Sequence, residues 1–380
     1  MNELFLYNPE NDIALACDTG SRFTPPRQAA LLARWGAPLI WWMGDSGDYV
    51  LTAPFSSSEE ENRFRQWLEG VEKLRGSGGP QFINNCKEAR ICCAVPWGWS
   101  RYAIRCLYDA GVPQEAVSHM ENNMDTLRLL SHRRSAGILN KALTHSLSPK
   151  WGCLIVSEPA DEFFSTAEAK EHIDVNGTSV YIKSPWSSSG RGVVCCNNIP
   201  ADKILGRCDA VIRKQGSVII ERGRDKILDF AMLFRADADG RVRYYGMSRF
   251  FNERGTGYTG NLIRTNDHIC SELACYLPEP LIEDVQDCLC TELSLLLAGH
   301  YTGYLGVDMM VILNGGEYAL VPCVELNLRM TMGIVAHRLC SLTGREGIMR
   351  VFPGKKTTAT PGALPLVPEN PYFNIDFLPS

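Results

Sequence analysis

The chain has 380 residues, of which 45% are hydrophobic and 21% charged, and its 38 basic and 43 acidic side chains leave a formal net charge of −5. That length buries a large core and suggests two or three structural units in an ordinary soluble globular protein. The charge balance argues against a nucleic-acid or anionic-membrane partner, while leaving room for a local basic cleft that meets a phosphate ligand. No uninterrupted apolar run is long enough to cross a bilayer, and Met1-Asn2-Glu3-Leu4-Phe5 carries no secretory pattern, so a cytoplasmic protein is expected. The 15 cysteines form no Cys-x-x-Cys pair and sit in apolar stretches such as Ile91-Cys92-Cys93-Ala94-Val95. Reduced thiols used as small buried groups are expected, and not a disulfide frame or zinc site.

In chain order, residues 4–7 read as a strand stopped by Asn8-Pro9-Glu10-Asn11-Asp12. That turn could present carboxylates to a substrate or satisfy its own backbone, as Asn and Asp do in turns. A helical pattern over residues 27–34 precedes a second apolar run, residues 38–43, read as a strand. A charged helix over residues 58–74, a loop over 76–80, a buried strand over 91–95 and a helix ending near Gly111 follow. Alternation of this kind suggests a small parallel Rossmann-like sheet over residues 1–120. No glycine-rich dinucleotide fingerprint opens a helix there, so neither NAD nor FAD is assigned. Trp97 and Trp99 are read as packing.

From about Asp125 the texture changes. A basic helix over residues 127–143 leads to a strand over 153–156, a strand over 180–183, residues 193–194, and a strand over 218–221. An antiparallel pair then covers residues 228–236 and 242–249 around the turn Asp237-Ala238-Asp239-Gly240. Residues 252–264, with three glycines, read as a loop beside an acceptor site, where Arg254 or Arg264 could bind a substrate carboxylate or lie solvated. A helix over 281–298 precedes strands over 304–313 and 317–327, joined by Asn314-Gly315-Gly316.

Two stretches carry the chemistry. In VYIKSPWSSSGRGVV (180–194) a strand delivers Lys183, and the Ser/Gly loop after it can lay backbone N–H groups along phosphate oxygens. In YLGVDMMVILNGGEYALVPCVELNLR (304–329) two strands bring Asp308 near Glu325. Strand alternation puts Asn327 and Arg329 on the Glu325 face. Two carboxylates and a carboxamide make a hard-oxygen site suited to Mg²⁺ shared with phosphates, and such charges on apolar strands are costly unless paired or cation-bound.

Taken together, these pieces over residues 125–345 resemble the ATP-grasp superfamily. The resemblance implies an α/β chain with an α+β ligase core (an ATP-grasp fold behind a Rossmann-like N-terminal domain). Its divisions are 1–120, a small subdomain at 121–220, a large subdomain at 221–350 and a tail at 351–380. It implies ATP with Mg²⁺, Mn²⁺ being the alternative ion. By the same resemblance Lys183 and Arg329 act in catalysis, and Ser187, Ser188, Ser189, Gly190 and Gly192 belong to the loop over the triphosphate. Glu221 and Arg222 fall at the adenine hinge and Asp229 at the ribose, while Asp308, Glu325 and Asn327 hold the metal. Arg133 is taken as the first phosphate contact, with Arg134 and Lys141 as rivals. Gly306 stands where D-alanine-type ligases carry an arginine, which weakens that assignment. The implied reaction is carboxylate–amine or carboxylate–thiol ligation through an acyl phosphate, on an amino acid, peptide or small carboxylic acid. A small-molecule kinase and a non-catalytic nucleotide-binding regulator are the alternatives. A homodimer is the default assembly.

Overall fold

The computed structural model describes residues 2–17, 23–157, 161–176, 180–187, 192–196, 199–253, 257–354 and 360–380. Three sheets organise them. The first is wholly parallel, in the order β3-β2-β1-β4, from β1 (Glu3–Leu6), β2 (Tyr49–Leu51), β3 (Gln81–Ile83) and β4 (Cys93–Pro96). The second is a small antiparallel sheet, β5-β8-β6-β7, from β5 (Asp161–Phe163), β6 (Val180–Lys183), β7 (Val193–Cys195) and β8 (Val218–Arg222). The third has eight antiparallel strands in the order β13-β12-β9-β10-β11-β14-β16-β15. They are β9 (Asp225–Ala236), β10 (Val242–Glu253), β11 (Gly257–Ile263), β12 (Gly303–Asn314), β13 (Glu317–Asn327), β14 (Gly347–Pro353), β15 (Leu364–Pro365) and β16 (Phe373–Pro379).

The large sheet is apolar on both faces, because alternate residues of each strand point to opposite sides. Phe230, Met232, Phe234, Val307 and Met309 meet the leucines of helix Glu279–Leu297 and of helix Arg134–Trp151. Ala231, Leu233, Ile263 and Tyr304 share the opposite core with helix Met332–Thr343 and with Phe5, Trp41 and Trp42 of the N-terminal unit. At β12–β13, Gly315 and Gly316 take φ of 63° and 94°, left-handed values that suit glycine in a tight turn.

Several expectations need correction. Residues 38–43 are not a strand. Ala37–Trp42 forms a 3₁₀ turn with both tryptophans buried, and a short apolar run cannot by itself tell strand from buried helix. The sheet instead takes β2 and β3, three residues each, too short to show a period. The helix expected over 127–143 is two helices, Met124–Leu130 and Arg134–Trp151. Between them the Arg133 N–H donates to Pro185 O at 3.0 Å. Residues 153–156 hold a 3₁₀ turn, Gly152–Leu154, and one bridge from Ile155 to Leu320. Up to Ile263 the described part of 252–264 is strand and not loop. Gly260 is needed there, since a Cβ would strike Met349 O on the neighbouring strand. The C-terminal tail contributes β15 and β16 to the large sheet. The cysteines are all free, but only five are buried and six are exposed.

One of the seams that knit the parallel sheet to the large one runs through Asn8, Gly98 and Arg329. Asn8 Nδ2 donates to Gly98 O at 2.7 Å and Asn8 Oδ1 accepts from Gly98 N at 3.3 Å. Gly98 bridges Arg329, and Met330 N donates to Trp97 O at 2.6 Å. Asn8→Ala removes the acceptor of buried Gly98 N and one of the two side-chain donors to Gly98 O, and is expected to lower the unfolding free energy by about 1–3 kcal/mol. Urea denaturation measures this, and an unchanged midpoint would mean that the seam contributes nothing.

Candidate active site

The antiparallel register of β12 and β13 sets Asp308 opposite Glu325 and Gly306 opposite Asn327, with an irregularity just after Asp308. Arg329 follows two residues beyond β13. From the other side, β6 ends on Lys183, and the break between the two helices delivers Arg133. Asp12, Arg133, Trp186, Ser187, Glu325 and Arg329 are among the side chains around a cleft of about 390 Å³.

Arg133 is the node of this cleft. Its Nη2 donates to Glu325 Oε1 at 3.2 Å and to Ser187 Oγ at 3.0 Å, and its Nε donates to Ser184 O at 3.1 Å. Arg134 and Lys141, its rivals in the sequence, are exposed. Arg329 is held on three sides. Its Nε donates to Asp12 Oδ2 at 2.8 Å, its Nη2 to Asn327 Oδ1 at 2.8 Å, and its Nη1 to Met330 O at 3.2 Å. Asp12, which answers one reading of the first turn, thus meets a protein cation. Sequence alone offers no signal for that pairing, since the two residues are 317 apart.

Lys183 is buried and ion-paired with Glu221 of β8. Glu221, expected at an adenine hinge, therefore has its carboxylate engaged in the small sheet, and Arg222 beside it is exposed. Asp229 pairs with Lys226 at 2.5 Å, and its charge reaches Asp308. Arg264 is exposed just past the end of β11, beside Glu346. Ser188, Ser189, Gly190 and Arg254 lie outside the described residues. Ser187 and Gly192 flank the first three, and Ser184 N donates to Gly192 O at 2.9 Å to close the loop's base.

A clasp that pattern reading does not reach holds the start of this loop. Trp186 N donates to Gln215 Oε1 at 2.9 Å and Gln215 Nε2 donates back to Trp186 O at 3.1 Å. The indole Nε1 donates to Arg128 O at 3.0 Å, with the Arg128 guanidinium 4.1 Å over the ring. Trp97 and Trp99 are buried and packed, and the Trp99 indole donates to Thr302 O at 3.1 Å.

The two facing carboxylates behave oppositely. Burial alone would raise Glu325, but Arg133, Arg329 and Lys183 hold it below the usual carboxylate range. Burial and the Glu325 charge push Asp308 up to about 7. Burial works against the Arg329 charge, yet Asp12 and Glu325 keep that guanidinium firmly protonated. Cys323 beneath them is driven up by burial and by the neighbouring carboxylates, so it stays a thiol. Among the described residues no group of three or more His, Cys, Asp and Glu is assembled for a metal. The donors here are two carboxylates and the Asn327 carboxamide, one carboxylate lacking a cation of its own. All are hard oxygens, which fits a divalent ion completed by phosphate oxygens.

Neither a protein-family model nor a curated protein matches the sequence. Solved structures do resemble the fold. A biotin carboxylase–β,γ-ATP complex from Campylobacter jejuni aligns over 100% of this chain and 87% of its own, at 9% identity and a TM-score of 0.50. An N5-carboxyaminoimidazole ribonucleotide synthetase from Thermus thermophilus aligns over 100% and 93%, at 13% identity and a TM-score of 0.47. With the mixed α/β sheets described above, the biotin carboxylase likeness identifies the fold as ATP-grasp, as the sequence resemblance implied.

Asp308 supplies a pH test. Its folded-state value of about 7 lies above the value near 4 expected of an unfolded aspartate, so the folded chain holds the extra proton between the two. The Asp308 contribution to metal-free stability is thus fully present below about pH 4 and is lost as pH rises through about 7. Asp308→Asn is expected to raise the melting temperature near pH 8 by about 2 °C or more, and by less near pH 5. Scanning calorimetry in chelator decides. Equal effects at both pH values would mean that Asp308 does not suffer this repulsion.

Proposed function

We propose that the chain is an ATP-dependent ligase that activates a small-molecule carboxylate by phosphorylation and joins it to an amine. The observation that carries this reading is the convergence of Asp308, Glu325 and Asn327 on one edge of the large sheet with Arg133 and Lys183 brought from the other side. The ATP-grasp fold supports it, and so does the nucleotide named in the Campylobacter jejuni biotin carboxylase complex. Asp308, Glu325 and Asn327 would hold Mg²⁺, which supplies charge neutralisation for the β- and γ-phosphates when bound.

The remaining work falls to the chain's own cations. Lys183 has its ammonium against Glu221, and a phosphate oxygen would take over that partner. Arg133 links Glu325 to Ser187 at the base of the serine- and glycine-rich loop, so it orients the phosphate chain from the metal side. Arg329 is fully engaged by Asp12, Asn327 and Met330 O. It therefore acts as a rigid positive wall that fixes the Asn327 carboxamide, more than as a mobile phosphate ligand. Phosphoryl transfer asks little covalent chemistry of a protein, and positioning with electrostatic stabilisation suffices. The γ-phosphoryl group passes to the substrate carboxylate, giving an acyl phosphate and ADP. The amine then attacks the acyl carbon and inorganic phosphate leaves. No protein nucleophile enters, and the protonated Cys323 is not one.

ADP release across a panel of carboxylic acids, with and without amines, is expected to rise only when a carboxylate is present and to depend further on an amine. Turnover indifferent to both would contradict the ligase reading. Glu325→Gln should lower kcat by about a hundredfold to a thousandfold. Undiminished turnover would put the metal elsewhere.

A further inference from the structure

The parallel sheet has a topological switch. The chain runs from β1 outward to β2 and β3, then returns to place β4 on the other side of β1. In open sheets of this kind ligands bind in the crevice beyond the carboxyl ends of the strands that flank such a switch. Here those ends are the turn Asn8-Pro9-Glu10-Asn11-Asp12 after β1 and Trp97-Gly98-Trp99 after β4.

The polar groups of that turn are accounted for, with one exception. Asn8 is bonded to Gly98, and Asn11, with its amide turned to suit its neighbours, donates to Gly98 O and Trp99 O at 3.0 Å each. Asp12 pairs with Arg329. Glu10 is only 3% exposed, and its Oε2 has no hydrogen-bond partner among the described residues. Burial pushes its carboxyl up to about 7. Its charge bears on Tyr7 and on Tyr102 of helix Arg101–Asp109. Across the seam, Tyr258 of β11 lies within the electrostatic reach of Tyr7 and hydrogen-bonds Asn261, whose Nδ2 donates to Ser248 Oγ at 2.6 Å. That strand-borne network is satisfied within itself and offers Glu10 no counter-charge.

A buried carboxylate with an oxygen unpartnered among the described residues is the complement of a primary ammonium group, which would give it an ion pair. Two residues further on, Asp12 reaches Arg329 at the edge of the metal-binding strands. We propose that Glu10 is a specificity residue that binds the ammonium group of a substrate at the switch-point crevice, and that the ligase accordingly acts on an ammonium-bearing small molecule. This inference rests on the ligase reading and adds a substrate class to it.

The test uses the full chain with ADP and Mg²⁺ and ligand-observed NMR on a mixture of the twenty proteinogenic amino acids, ethanolamine and putrescine. At least one of these probes is expected to bind. Glu10→Gln should weaken that probe by about tenfold or more, the loss of one charge-assisted contact, with ADP affinity unchanged as the check on folding. Independently of any variant, the hydroxy analogue of each bound amine should bind the unaltered chain about tenfold more weakly or worse. Equal binding to the Glu10→Gln chain, equal binding of the hydroxy analogues, or no binding of any ammonium probe while ADP still binds would each overturn the inference alone. Failure of the unaltered chain to bind ADP would overturn the ligase reading and this inference together.

Discussion

Two carboxylates forced to face each other are the constraint from which the site follows. The β12–β13 register sets Asp308 across from Glu325, and the flanking side chains, Val307, Met309 and Leu326, are buried and apolar. Like charges directly opposed on adjacent strands destabilise a sheet. The molecule answers only half of the problem. Arg133, Arg329 and Lys183 together hold Glu325 ionised, whereas Asp308 keeps its proton to about neutral pH. A site left one positive charge short on hard oxygen donors is poised for a divalent ion shared with phosphate.

The braces around this pair tie the three sheets into one cleft. Arg133 touches the small sheet through Ser184 O and Ser187 and the large sheet through Glu325. Arg329 ties the large sheet to the N-terminal turn through Asp12. The Trp186 clasp joins the start of the serine- and glycine-rich loop to Gln215 on one side and to Arg128 on the other. Each brace is a planar, multi-donor contact whose geometry is fixed by more than one partner, which suits it to positioning.

Much of this was legible in the sequence because it is local. Strand alternation, the Asn314-Gly315-Gly316 turn and the Glu325-x-Asn327-x-Arg329 spacing are enough to bring Asp308 and Glu325 together. Lys183 at the end of a short apolar strand was likewise readable. What escaped depends on long-range partners. Nothing near Arg329 announces Asp12, and nothing near Lys183 announces that Glu221 neutralises it. Residues 38–43 have the apolarity of a strand but pack as a 3₁₀ turn, since Pro38 withholds a ladder donor and both tryptophans bury against the neighbouring core. β2 and β3 are too short for a period, and the strands near the C-terminus hide among prolines.

The most direct measurement is calorimetric titration of ADP onto the chain with Mg²⁺ and, separately, with a chelator. The account predicts nucleotide binding that needs the ion, weakens by about tenfold or more in Asp308→Asn, and persists in Arg264→Ala, a cation outside the cleft. Equal affinity with and without Mg²⁺, undiminished in Asp308→Asn, would contradict the assignment of Asp308, Glu325 and Asn327 as the seat of the metal.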